Sequence, residues 1–244
     1  MTKEERKEKI DNRIWELDAF RGILILGVIA SHIVFDLQYF THFDIKVPAF
    51  LEMIFQYGGY LFILLSGLCA TLGRKTFLRG VIVFCAGIVI TVVTLIMGDK
   101  STYIFFGVLH LLGVCMMTYP LFKKIPKWPR LAVGIFLIAA GLYISIKEVK
   151  VPSDLAFLNI FGFTYNGFSS GDWWPILPNL GIFLAGSFIG ETLYKDKKSK
   201  FPNVNKKIFP LNFFCFCGRQ SLWIYLIHQP IVYGTLILLD KIIK

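Results

Sequence analysis

Apolar residues gather in long runs separated by short polar connections. A helix that crosses about 30 Å of hydrocarbon needs about 20 mostly apolar residues. Segments of that kind lie at approximately 19–39, 49–72, 79–97, 104–122, 130–147, 174–193 and 219–240. The third and fourth are the most uniformly apolar. The first and last admit histidine. The pattern predicts an all-α polytopic membrane protein. It reads as one domain over 1–244, a bundle of about seven transmembrane helices. No internal repeat is visible, so an inverted-repeat transporter has no support.

The polar connections decide orientation through Lys and Arg, which favour the cytoplasmic side. Of the 26 Lys and Arg, only Lys46, Lys100, Lys147, Lys150, Lys241 and Lys244 fall on the side opposite the N-terminus. The expected topology is therefore N-terminus cytoplasmic and C-terminus extracytoplasmic. The opening stretch, Lys3 to Arg13, is charged, and Asp18 and Arg21 border the first span, so no cleavable signal peptide is expected. The outer connection, about 148–173, ends in Asp172-Trp173-Trp174-Pro175. Paired Trp belongs at the headgroup level, and loops this long often carry function. The inner connection from Tyr194 to Gly218 is Lys-rich and reads as a solvated loop facing lipid headgroups. Gly186-Ser-Phe-Ile-Gly190 is expected to pack its helix within the bundle, with a homodimer left open. Membrane lipids are the first expected partner, and a bacterial plasma membrane the expected location.

Composition removes the soluble alternatives. Hydrophobic residues make up 55%, charged residues 17%, and mean hydropathy is +0.62. Soluble domains carry about 25% charged residues. The 24 Phe and 10 Tyr exclude disorder. A net charge of +10 does not indicate nucleic acid here, because the basic residues sit in short clusters between apolar runs. Cys69, Cys85 and Cys115 lie in apolar segments, and Cys215-x-Cys217 has neither zinc nor redox spacing. All five read as small buried hydrophobes.

Ionisable residues inside a span are costly and mark function by default. His32 lies about 18 Å beyond Phe20 at about 1.5 Å per residue, in the outer half of the first span. Asp36 and Tyr39 follow at i+4 and i+7 on the same helix face. His42 lies just past the outer end. His110 is near the outer end of the fourth span. His228 is near mid-membrane in the last, followed by Gln229 and Pro230. Asp172 stands at the outer mouth of the sixth. All four histidines therefore fall between mid-membrane and the outer surface. Imidazole suits general-base chemistry near neutral pH, and a carboxylate can hold its tautomer. His32, Asp36 and His42 are the catalytic candidates. His110, Asp172, His228 and Gln229 are candidates for an acceptor cavity. No H-x-x-x-H or H-E-x-x-H spacing is present, and no metal is expected. On the inner side, Arg21, Arg74, Lys75, Arg79 and Arg219 border spans one, two, three and seven. Guanidinium groups match phosphate oxygens bidentately. Arg21, Arg74, Lys75 and Arg219 are the candidates for a phosphate-bearing donor such as an acyl-coenzyme A.

Several blocks resemble a known family. They are Leu17-Asp18-Ala19-Phe20-Arg21-Gly22 leading to His32-Ile33-Val34-Phe35-Asp36-Leu37, and Gly58-Gly59-Tyr60 running to Ser66-Gly67. Further blocks are Phe106-Gly107-Val108-Leu109-His110, Trp174-Pro175-Ile176-Leu177-Pro178-Asn179, and Gly218-Arg219-Gln220-Ser221 running to His228-Gln229-Pro230. In order and together they resemble the bacterial branch of the heparan-α-glucosaminide N-acetyltransferase catalytic-domain family. The Arg21-x10-His32 spacing also resembles the broader membrane acyltransferase superfamily.

The resemblance implies transfer of an acetyl group from cytoplasmic acetyl-coenzyme A to an acceptor beyond the membrane. In the lysosomal enzymes of that family the acceptor is a terminal glucosamine amine. Their catalytic Asn and His lie near the outer end of the first span. Those positions correspond here to His32 and, with one residue of slack, to His42. The bacterial branch commonly carries His at the His32 position. The expected function is thus acetyl or other acyl transfer to an extracytoplasmic amine or hydroxyl, on a cell-envelope glycan. A transporter using the same histidines as proton relays is the rival reading, and a non-catalytic envelope component is a third.

Overall fold

The computed structural model describes residues 13–41, 47–97, 103–206 and 208–243. Its helices are α1 (Trp15–Thr41), α2 (Ala49–Leu72), α3 (Thr76–Met97), α4 (Val108–Phe122), α5 (Lys127–Ile146), α6 (Ile176–Leu193), α7 (Leu211–Arg219) and α8 (Ser221–Ile243). A 3-10 helix, Ser153–Phe161, lies between α5 and α6. Each apolar segment expected from the sequence falls on one of these helices. Among the described residues, α1, α2, α3, α5 and α6 contain stretches long and apolar enough to cross a membrane. His42, Lys46, Lys100 and Lys244 lie outside the described residues. So do the side chains of Asp36 and Tyr39, although their backbone belongs to α1.

The helices divide between two compact units, Met1–Phe62 with Asp196–Lys244, and Ile63–Lys195. In the first, α1 packs along α7 and α8. Glycine makes that approach close. A Cβ on Gly22 would run into the Phe214 carbonyl, and one on Gly218 into the Asp18 carbonyl. The start of α1 carries Glu16 and Asp18, where acidic groups complement the exposed amides of a helix N-terminus. The Glu16 carboxylate is also used in tertiary contacts. Glu16 accepts from the Ser199 hydroxyl at 2.8 Å and from the Lys200 amide at 2.7 Å. Trp15 Nε1 donates to the Phe201 carbonyl at 3.0 Å. The connection expected to be a solvated loop is thus tied to α1 and also contains α7. At nine residues, α7 is too short for the span pattern that reveals the other helices.

In the second unit α3 packs on α4 and α5 on α6. The G-x-x-x-G of α6 packs internally, because a Cβ on Gly186 or Gly190 would meet the Leu64 or Leu68 carbonyl of α2. Arg130 of α5 is only 1% exposed, and it pairs with Glu191 at the end of α6. Glu191 also accepts from the Tyr119 hydroxyl of α4 at 3.4 Å. One carboxylate thus joins three helix ends. Leu177 is extended (φ −96°, ψ 127°), as a residue before proline prefers, so regular helix in α6 follows Pro178.

Helix α4 has 15 residues and begins at Val108, later than the apolar run suggests. The stretch before it, Tyr103–Gly107, is non-helical, and its backbone groups need partners. The Thr91 hydroxyl donates to the Ile104 carbonyl at 2.6 Å, and the Ile104 amide donates to Thr94 Oγ1 at 3.3 Å. The Trp174 amide donates to the Phe106 carbonyl, and the Gly171 amide to the Tyr103 carbonyl, each at 3.0 Å. Irregular backbone at membrane depth is tolerable when it is satisfied in this way.

Candidate functional site

The sequence-predicted site residues fall into both units. In the first unit, α1 and α8 bring two of the four histidines together. The rings of His32 and His228 lie with centroids 5.0 Å apart, tilted by 51°. These positions are far apart in the chain, and only the packing of the first helix on the last joins them.

His228 is buried, and its tautomer follows from its neighbour. Nδ1 is 2.6 Å from the Tyr225 carbonyl oxygen. A carbonyl only accepts, so Nδ1 carries the proton and Nε2 keeps a lone pair in the neutral ring. Nε2 is fully enclosed and has no hydrogen-bond partner. Leaving such an acceptor unpaired costs about 1–3 kcal/mol. Two residues on, Pro230 sits inside α8 and has no amide proton, so the Leu226 carbonyl loses its usual helical donor. The Tyr225 ring completes the local wall, 5.2 Å from the imidazole. His32 is half-buried and makes no hydrogen bond to a described side chain or backbone group.

In the second unit, His110 and Asp172 are drawn into the backbone that precedes α4. Gly107 N–H donates to His110 Nδ1 at 3.3 Å, so Nδ1 is the acceptor and Nε2 carries the proton toward Thr91 Oγ1, also at 3.3 Å. Both nitrogens have partners, and the ring packs between Phe106 and Phe84. A Cβ on Gly87 would press against the same imidazole. Asp172 Oδ2 accepts from the Val108 amide at 3.0 Å, in the first turn of α4. Burial pushes the Asp172 carboxyl up, against the downward pull of the Val108 and Trp174 hydrogen bonds.

The basic candidates differ in their freedom. Arg13 grips both oxygens of buried Asp18, through Nε at 2.6 Å and Nη2 at 2.5 Å. Arg21 stands 3.9 Å from the same carboxylate and keeps most of its donors. Arg219, at the end of α7, is half-buried and makes no ion pair among the described residues. Arg74 and Lys75 lie exposed on the turn between α2 and α3.

Sequence reasoning missed two buried polar features. One is the Arg130, Glu191 and Tyr119 cluster. Its signal was a carboxylate fifteen residues into an otherwise apolar span, with a basic residue in the first turn of the preceding long helix. The other is Asn179, which is 2% exposed. Its Nδ2 donates to the Pro175 carbonyl at 2.8 Å, while Oδ1 has no partner. Nothing short of three-dimensional packing marks that oxygen.

The family model described as heparan-alpha-glucosaminide N-acetyltransferase, catalytic, matches residues 13–230. No curated protein matches the chain, and no solved structure matches it.

Proposed function

The chain belongs to the heparan-alpha-glucosaminide N-acetyltransferase catalytic family, and we propose that it moves an acetyl group from acetyl-coenzyme A in the cytoplasm to an amine or hydroxyl outside the membrane. Membership over residues 13–230 carries membrane acetyltransferase activity as a class. Coenzyme A as carrier, the extracytoplasmic acceptor, a cell-envelope glycan as its source and a bacterial plasma membrane as its setting are the finer reading. The His32 and His228 pairing supports it, because it sets an unpaired imidazole nitrogen inside the helices that carry the family's blocks.

In this reading His32 is a catalytic base, with Asp36 one turn on to orient it and His42 near the exit. His228 and Gln229 line the acceptor side. His110 and Asp172 hold the backbone before α4. The phosphates of the donor are received by Arg21 and Arg219. Arg219 suits the task, since it has no carboxylate to compete with a phosphate. An acetyl-imidazole intermediate and direct attack by the acceptor on the thioester both fit.

The test is donor binding. A ligand that binds only the folded state raises its stability by mass action, about 2.7 kcal/mol at a hundredfold excess over Kd. Acetyl-coenzyme A should raise the Tm of the purified protein, and Arg219→Ala should weaken that shift. No shift at millimolar donor in a folded preparation would overturn the donor assignment.

A further inference from the structure

We infer that His228 is itself a catalytic group, whose Nε2 takes the proton of the acceptor in place of His32, with the His32 ring lying beside it. The inference rests on the acyl-transfer reading above and moves the proton-accepting imidazole to the last helix.

Three observations carry it. First, the 2.6 Å contact with the Tyr225 carbonyl holds His228 in one tautomer and one orientation. Catalytic histidines are commonly fixed by such a hydrogen bond at Nδ1, which leaves Nε2 free to act. Second, Nε2 has no partner although it is enclosed. A packing histidine in the same molecule looks different. His110 has a partner at each nitrogen, Gly107 on one side and Thr91 on the other. Third, the neighbour of His228 is another imidazole, at 5.0 Å. An imidazolium formed by proton uptake would lie beside a second imidazole ring.

The step balances as follows. The acceptor nitrogen or oxygen attacks the carbonyl carbon of the thioester, and its N–H or O–H proton passes to His228 Nε2. The new C–N or C–O bond forms as the C–S bond breaks. The sulfur leaves as thiolate and recovers a proton from the imidazolium, so both rings end neutral. The products are the acetylated acceptor and free coenzyme A.

Asparagine at 228 separates this role from packing. Its amide can donate to the Tyr225 carbonyl as Nδ1–H does, but it supplies no base. Protein in nanodiscs would be given radiolabelled acetyl-coenzyme A with glucosamine as the probe amine. His228→Asn should keep the wild-type Tm and the KM for acetyl-coenzyme A, and lose kcat by roughly the 10²–10⁴-fold typical of a general acid–base group. Nitrogen NMR of histidine-labelled protein should show one ring protonated at Nδ1 alone, and this signal should vanish in the variant. Retained turnover in His228→Asn, beside an active wild type and an inactive His32→Ala, would overturn the inference and leave the function standing. A ring at 228 protonated at Nε2 would overturn it as well. A wild type that neither binds acetyl-coenzyme A nor acetylates glucosamine would overturn the function, and this inference with it.

Discussion

A histidine inside a span has two fates, and the described histidines show both. His110 spends its two nitrogens on a glycine amide and a threonine hydroxyl, where a helix starts late. His228 spends one and leaves the other bare. Sequence placed His110 near the end of its span and His228 near mid-membrane, and offered both for the same cavity. The difference lies in partners on α3 and in a turn of α8 next to a proline. Asp172 shows the same limit. Its position just before α6 was legible, but its service to the Val108 amide was not. Burial raises the carboxyl of Asp172 above the ordinary carboxylate range of about pH 4. A raised folded pKa means that the folded state favours the protonated acid. Its contribution to stability is therefore present below that range and is lost as pH rises through the folded pKa. Asp172→Asn keeps an oxygen for Val108 and removes the charge. The Tm of wild type relative to this variant should fall as pH rises from acid to neutral. A flat or rising difference would mean that the amides at the start of α4 hold the carboxylate ionised.

Elements were legible where apolar length spoke, and obscure where it did not. The long helices were visible because lipid demands about 20 apolar residues per crossing. The ends were read less well. Thr91, Thr94 and Asp172 supply partners that let the chain stay unwound before Val108, and no local pattern predicts such remote partners. Helix α7 was hidden for a different reason, since nine residues are too few for the span pattern and they lie in a connection that reads as a solvated loop. It nevertheless sets where α8 begins relative to α1. Gly218 meets the Asp18 carbonyl with no room for a Cβ, and that carbonyl is backbone and cannot swing aside. Gly218→Ala should therefore separate α7 from α1, lower the Tm and reduce acetyl transfer by disturbing the His32 and His228 approach. Gly27→Ala on α1 is the control, because a Cβ there meets nothing within 4 Å. In a helix interior that change should stabilise by up to about 1 kcal/mol. Equal tolerance at both positions would show that α1 and α7 can part without consequence.

At the scale of the whole molecule, the family and the helical class were legible together, because the same blocks carry the apolar runs and the polar residues within them. The proposed orientation rests on a separate quantity, the distribution of Lys and Arg, and has consequences for every role assigned above. If the N-terminus is cytoplasmic, the 3-10 helix and the aromatic cluster of Tyr165, Phe168 and Trp173 face outward with the acceptor. Lys195, Lys197, Lys198 and Lys200 then face inward with the donor. Anionic lipids of the cytoplasmic leaflet add about 1 kcal/mol per nearby Lys or Arg, so reversing the chain would forfeit much of that attraction. Single cysteines in place of Asp154, Ser169 and Lys198, in a background freed of the native five, test this directly. An impermeant thiol reagent applied to intact cells should label the first two positions and spare the third, until the membrane is opened. All three residues are exposed or half-buried, so a negative result at any of them reports the membrane and not the fold. Labelling at 198 in sealed cells would turn the molecule over. Arg219 would then face the wrong compartment for a cytoplasmic thioester, and the histidine pair would have to be approached by its donor from the outside.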